Sequence, residues 1–242
     1  PYTTLFRSND FAQKFVTGDI SGVESSLQKR NGAINNTATM GSFLSSHDED
    51  SLQYKLVNES KLSEEEAYNL MKVAATLQIT AKGQPVLYYG EEIGQGGANN
   101  WPLQTNRRDF DWTELEKQKA DSNSIYNHYK TMLAIRNAYT DVFARGNRST
   151  VAASDAEGYE VISRSYGNST LYVGMNVKEA EKEVVIPVAE SVGTVLTNLY
   201  DGKTYTVSAD QNVSVTIPAA KDGGTIVLTA ETKTEPAPDN TT

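Results

Sequence analysis

The sequence predicts an α/β protein in two parts: a parallel strand–helix–strand region over residues 9–144, then an all-β antiparallel sandwich over 145–230. Three observations predict it. The first is a βαβ pattern: a strand over Ala38–Ser46, a capped helix from Ser63, and a buried strand over Pro85–Gly90. Strands joined through a helix in this way run parallel. The second is a change of period near Arg145-Gly146, after which short alternating strands recur at intervals of roughly ten residues up to Ala230. The third is where the chemistry-bearing residues fall. His47-Asp48 ends the first strand, and a polar loop rich in Gly, Asn and Arg follows the second, the end at which parallel α/β folds place their sites.

Composition narrows the function classes. Hydrophobic residues at 38% and charged residues at 22% fit a chain able to bury a core. A net charge of -9 and a pI near 4.8 argue against an electrostatic grip on nucleic acid or anionic lipid. No apolar run approaches the roughly 20 residues of a membrane helix, so membrane insertion is not expected. There is no cysteine, hence no disulfide framework and no thiolate metal site. Residues 1–8 (PYTTLFRS) resemble translated adaptor sequence rather than native protein. Residues 231–242, rich in Pro, Thr and acidic groups, read as a disordered linker.

In chain order, Phe11 and Phe15, then Ile20, Val23 and Leu27, have helical spacing and predict short helices closing around Arg30, with Asn31-Gly32 as a turn. Ser63-Glu64-Glu65-Glu66 is a capping box, and its three carboxylates suit the positive end of the helix dipole. Ala67, Leu70, Met71, Ala74 and Leu77 mark one apolar face, and Gly83 ends the helix. The loop is expected to run from Glu91 to about Asp121, before a helix capped by Ser122 or Ser124 with Ile125, Tyr129, Met132, Leu133 and Arg136 facing inward. In the second part, Gly167-Asn168 joins Tyr159–Tyr166 to Thr170–Asn176, and Asp201-Gly202 joins Thr194–Tyr200 to Lys203–Val207. Val213–Ile217 and Thr225–Leu228 complete a sandwich of seven or eight strands.

Phe43-Leu-Ser-Ser-His-Asp48, a helix, and then Gly83-Gln-Pro-Val-Leu-Tyr-Tyr-Gly-Glu-Glu-Ile-Gly94 together resemble the last two barrel strands of the α-amylase family of glycoside hydrolases. Asn106-Arg-Arg-Asp-Phe-Asp-Trp112 resembles that family's loop after the eighth strand, and the sandwich resembles its domain C. The resemblance covers roughly Asp10 to Ala230. It implies the C-terminal portion of a (β/α)8 TIM barrel followed by domain C, from a retaining enzyme that cleaves α-glucosidic bonds in starch-like polysaccharides or maltodextrins. Asp48 aligns with the carboxylate that stabilises the transition state, and His47 with the imidazole that hydrogen-bonds the same sugar. Ser46 stands where the family has asparagine. The nucleophilic aspartate and the general-acid glutamate belong to earlier strands, and neither motif occurs here. Residues 9–144 are also too few for a whole barrel of about 250. The chain is therefore expected to be a C-terminal fragment, inactive alone, whose partners are the missing N-terminal barrel portion and an α-glucan or maltooligosaccharide. The resemblance further implies an extracellular or cell-surface, bacterial enzyme. No cofactor is expected in this chain, the family's calcium belonging to the part outside it. Two other readings fit: an amylase-like binding or structural subunit without catalysis, and a family member that transfers glycosyl units to a sugar acceptor.

Other residues carry weaker chemistry. Arg107 and Arg108 could pair with a sugar or a carboxylate. Trp101 is expected to stack on substrate, and Trp112 to pack in the core. Glu91 and Glu92 leave a strand pointing opposite ways, so at most one faces the site, and a loop or structural role is expected. Gly94-Gln-Gly-Gly97 lacks the Lys-Ser/Thr of a phosphate loop. His128 has no second His at metal spacing, and His47-Asp-Glu-Asp50 lacks the alternating oxygen ligands of a calcium loop, so no metal site is expected. Tyr159, Tyr166, Tyr172 and Tyr205 are expected in the sandwich core.

Overall fold

The computed structural model describes residues 8–231; the expectations for 1–7 and 232–242 lie outside them. The order begins with α1 (Ser8–Val16) and α2 (Ile20–Ala33), separated by Asp19, whose carboxylate caps α2 through Gly22 N. Asn31-Gly32 is not a turn: α2 runs through both, because Arg30 is buried and pins the last helical turn to the body. Next come β1 (Gly41–Ser42), α3 (Leu52–Asn58), α4 (Glu64–Thr80) and β2 (Gln84–Pro85), and β1 and β2 pair in parallel.

That pairing is as expected, but its length is not. The ladder covers only Gly41↔Gln84 and Ser42↔Pro85, extended by Gln84 N donating to Met40 O and Val86 N to Ser42 O. Pro85 has no N–H to give a ladder, and among the described residues neither strand has a second neighbour. Pro85–Gly90 is accordingly not a buried strand: Val86 and Tyr89 are exposed.

Helix α4 is the axis of the first part. Ser63 and Glu66 form the reciprocal capping box. The helix buries every residue from Leu70 to Thr80, so the single apolar stripe becomes burial all round, and the helix ends at Thr80 ahead of Gly83. Its polar side chains are therefore committed: Lys72 Nζ donates to Asn123 O and Lys221 O, and Gln78 Nε2 to Ser42 O and Val86 O, bridging β1 and β2.

The polar loop is interrupted by α5 (Trp112–Ala120), capped by Asp111. Trp112 opens that helix at 71% exposure, edge-on to Phe110, and does not pack in the core. Then α6 (Ile125–Ala138) is capped by Ser124, and α7 (Thr140–Arg145) leads into the strands.

Eight strands follow: β3 (Asn147–Ser154), β4 (Tyr159–Tyr166), β5 (Ser169–Asn176), β6 (Lys182–Pro187), β7 (Val195–Asn198), β8 (Thr204–Thr206), β9 (Asn212–Ile217) and β10 (Thr225–Thr229). They form a six-stranded antiparallel sheet ordered β3-β4-β5-β10-β7-β8 and a β6-β9 pair. Alternation sorts the side chains. Tyr172, Ile226 and Leu228 meet Val184, Ile186, Val213, Val215 and Ile217 of the small sheet. Leu171, Val173, Met175 and Val227 point the other way and join the helical core with Phe15, Leu44, Met71 and Met132. Of the four tyrosines, Tyr172 is buried, Tyr159 and Tyr205 are half-buried, and Tyr166, beside the Gly167 turn, is exposed. Glu231 is not free: its carbonyl accepts from Tyr139 OH and its carboxylate from Ser169 Oγ.

Candidate active site

Past β1 the chain makes a tight turn in which Ser46 bridges Glu49, so His47 and Asp48 occupy its two central positions rather than a strand end. Ser46 Oγ accepts from Asp48 N at 3.2 Å. The turn turns both side chains outward, with His47 65% and Asp48 71% exposed.

A second segment, from the loop after β2, holds this turn by its carbonyls. Asn106, itself buried, sets Nδ2 within 3.0–3.2 Å of the carbonyls of Ser46, His47 and Glu49. Asn99 Nδ2 donates to Asp48 O at 2.7 Å, and Asn99 N to Asp50 Oδ1 at 2.6 Å. Arg107 Nε donates to His47 O at 3.0 Å while Nη2 lies 3.4 Å from Asp48 Oδ1. His47 Nε2 is 3.0 Å from Asp48 Oδ2. The Asp48 carboxylate thus has an imidazole on one oxygen and a guanidinium on the other. Half-buried Tyr88 stands beside them: its phenol is raised by burial and by Tyr89, with Arg107 and Asp48 both within electrostatic reach.

The structure brings His47, Asp48 and Arg107 together. It places the other two predicted residues apart. Arg108 turns to a hollow lined by Gln53, Tyr54, Glu64 and Tyr68, and its carbonyl accepts from Tyr89 OH. Trp101, two residues beyond Asn99, projects at 84% exposure next to exposed Leu103. Sequence reasoning assigned no role to Asn99 or Asn106. Their one signal is that an amide in a loop with no regular ladder must satisfy some backbone. Among the described residues no group of three or more His, Asp or Glu is placed to hold a metal ion, and no helix is long and apolar enough to cross a membrane.

Exposed ion pairs add little to stability, of order 0–1 kcal/mol. The Asn99, Asn106 and Arg107 contacts therefore hold an arrangement that gains the fold little. What it offers is a fixed negative charge, flanked by donors, in a turn beyond the C-terminal ends of two parallel strands. Such a charge favours a ligand that becomes cationic as it reacts.

Residues 3–112 match the sequence model of the α-amylase catalytic domain. The chain is 30% identical over 148 residues to a cyclomaltodextrinase of Geobacillus thermopakistaniensis, covering 61% of this chain and 24% of that protein. It is 28% identical over 192 residues to an amylopullulanase of Thermoanaerobacter thermohydrosulfuricus, covering 74% and 12%. Among solved structures, the α-amylase of Geobacillus thermoleovorans in complex with acarbose superposes with a TM-score of 0.75 at 20% identity, covering 93% of this chain and 46% of that one. The chain thus spans a quarter or less of these two sequence relatives and about half of the structural one.

Proposed function

We propose that the chain belongs to the α-amylase family of glycoside hydrolases, as the C-terminal part of a retaining α-glucan hydrolase. In this reading residues 9–144 are the end of the catalytic barrel, 145–230 are domain C, and the whole protein cleaves α-glucosidic bonds in starch-like glucans or maltodextrins. The observation that carries it is the His47–Asp48–Arg107 cluster beyond the ends of β1 and β2. Asp48 serves as the transition-state stabiliser. A sugar ring flattening toward an oxocarbenium ion moves its hydroxyls and gains positive charge, and a carboxylate pre-set for that geometry lowers the barrier more than it tightens binding. His47 and Arg107 orient the carboxylate and bind the same sugar, and Trp101 stacks on the glucan further along. A polymeric substrate cannot enter a cell, so the enzyme works outside it or on its surface.

Two amylopullulanase relatives and a neopullulanase support glucan as the substrate class. The test is product analysis with the whole protein on soluble starch, maltodextrin and pullulan. Hydrolysis with the newly formed reducing end released as the α-anomer is expected, lost in Asp48→Ala and absent from the 242-residue chain alone. Longer products on adding a sugar acceptor would identify a transferase. Glucan binding without turnover by the whole protein would identify a non-catalytic subunit.

A further inference from the structure

Glu91 follows β2 in the short turn Glu91–Ile93, between the left-handed Gly90 and Gly94. Its side chain points inward and is 1% exposed. Three uncharged groups meet it. Tyr129 of α6 donates its hydroxyl to Oε1 at 2.8 Å, and the side chains of Ser45, from the loop after β1, and Gln78, of α4, both hydrogen-bond with the carboxyl. Ser45 Oγ also accepts from Leu52 N, which leaves its own proton for Glu91. The one charged group acting on Glu91 is Glu92 of the same turn, and no cation is among its partners. An ionised Glu91 would be a buried charge beside a like charge.

Gln78 supplies an independent observation. Its Nε2 lies 3.1 Å from both Ser42 O and Val86 O, which uses both amide protons. Flipping the amide would set its oxygen against those two carbonyls, so the orientation is fixed. Gln78 Oε1 is then buried without a donor, and Glu91 Oε2 is buried without a partner as well. Gln78 reaches the carboxyl with both amide protons already spent on backbone carbonyls, so the atom it has left for Glu91 is an acceptor, and a proton on the carboxyl would satisfy it.

We propose that Glu91 is a protonated carboxylic acid that positions the Ser46–Asp48 turn, giving its proton to Gln78 Oε1 and accepting the hydroxyls of Ser45 and Tyr129. Through Gln78 it ties β1 to β2, and through Ser45 it holds the residue that leads into His47 and Asp48. It touches no substrate and acts through these neighbours. Burial, with Glu92 adding to it, pushes the Glu91 carboxyl up to about 8. The phenol of Tyr129 is raised further, by burial and by Glu91 itself, so it remains a donor across this range. The unfolded carboxyl ionises near the ordinary value of 4.5. The folded state therefore holds a proton that the unfolded chain gives up. This contribution to stability is complete below about 4.5 and is lost as pH rises through about 8.

The test uses the whole protein, wild type, Glu91→Gln and Tyr129→Phe. Infrared difference spectra between pH 6 and 10 should show a protonated-carboxyl band in wild type that titrates near pH 8 and is missing in Glu91→Gln. Melting temperature and kcat should fall together through the same midpoint in wild type, and Glu91→Gln should remove that fall from both curves. Tyr129→Phe deletes a donor that favours the charged form, so the midpoint should move up by about one pH unit. The kcat readout rests on the function proposed above, but the band and the melting curve need no turnover. A protein without activity would defeat that function and leave this assignment standing. The assignment is overturned if wild type shows no such band, or if Tyr129→Phe leaves the midpoint where it was, whether or not Glu91→Gln folds.

Discussion

At the Ser46–Glu49 turn a histidine, an aspartate and an arginine meet in the open, while where the helices pack on the six-stranded sheet histidine, arginine and glutamate side chains are each held almost without exposure. His47 is 65% exposed, whereas His128 is 2% exposed and fixed between Thr76 Oγ1 and Tyr200 OH. Arg107 shares a solvent-facing carboxylate. Arg164 is fully buried, donating to the carbonyls of Asn147, Val142, Phe143 and Gly146 and, from the far side, of Thr80. Arg148 is buried between Glu24 and Glu160, and Glu160, the more distant second carboxylate on one arginine, is pushed up to about 7 by burial. In the joint most of these polar atoms are matched, Arg148 Nη1 being a buried exception, because an unmatched one costs about 1–3 kcal/mol, and matching fixes how helices and sheet meet. At the turn, solvent supplies the match, so the groups stay free to exchange water for a ligand. The joint carries the buried matching, and the turn is where the proposed function places the chemistry.

The largest effect expected from this contrast comes from Arg164→Met. Several buried carbonyls from α4, α7 and β3 lose their donor at once, and denaturant unfolding should show a loss of at least about 3 kcal/mol. A loss under about 1 kcal/mol would mean that the joint is not built on these contacts. His128 gives a smaller effect with a defined sign. Burial, reinforced by Lys72, lowers its imidazole from 6.5 to about 3, so the unfolded chain takes up a proton that the folded ring refuses. Stability from this group is complete above pH 6.5 and lost progressively as pH falls toward 3, roughly 3 kcal/mol by pH 4. Urea titrations at pH 7 and pH 4 should show that His128→Gln loses less between the two than wild type does. Equal losses would place His128 in contact with water.

The same contrast marks what could be read from the sequence. The Ser63–Glu66 box, the Ser124 cap and the Gly167 and Asp201-Gly202 turns are local signals, decided within a few residues, and each is found in the structure; the parallel pairing of β1 and β2, a long-range feature, is found as well. His47-Asp48 was visible because the two are adjacent. Arg107 lies some sixty residues away, marked by its charge and by the resemblance of its loop, but nothing local ties it to Asp48. Asn99 and Asn106 were invisible because their partners are carbonyls, which leave no mark in sequence. Misreadings have a shared cause as well. Asn31-Gly32 has turn chemistry, yet the burial of Arg30 carries the helix past it. Trp112 reads as core because it is large and aromatic, yet the Asp111 cap places it on an exposed first turn. Pro85–Gly90 reads as a buried strand because it is apolar, although burial depends on which neighbours pair with it. Arg164 could not be found at all, since an arginine in an alternating strand reads as a solvent-facing residue.

The most direct test of the division between turn and joint is Asp48→Asn in the whole protein, with kcat on a chromogenic maltooligosaccharide and melting temperature measured on the same preparation. The substitution keeps shape and removes a charge that, in the proposed function, matters only as a sugar becomes cationic. A fall of roughly 10²–10³ in kcat, about 3–4 kcal/mol in the barrier, is expected with a melting temperature within about 2 °C of wild type. A folded Asp48→Asn protein with kcat within about threefold of wild type would contradict the account, because the turn would then be one more surface ion pair.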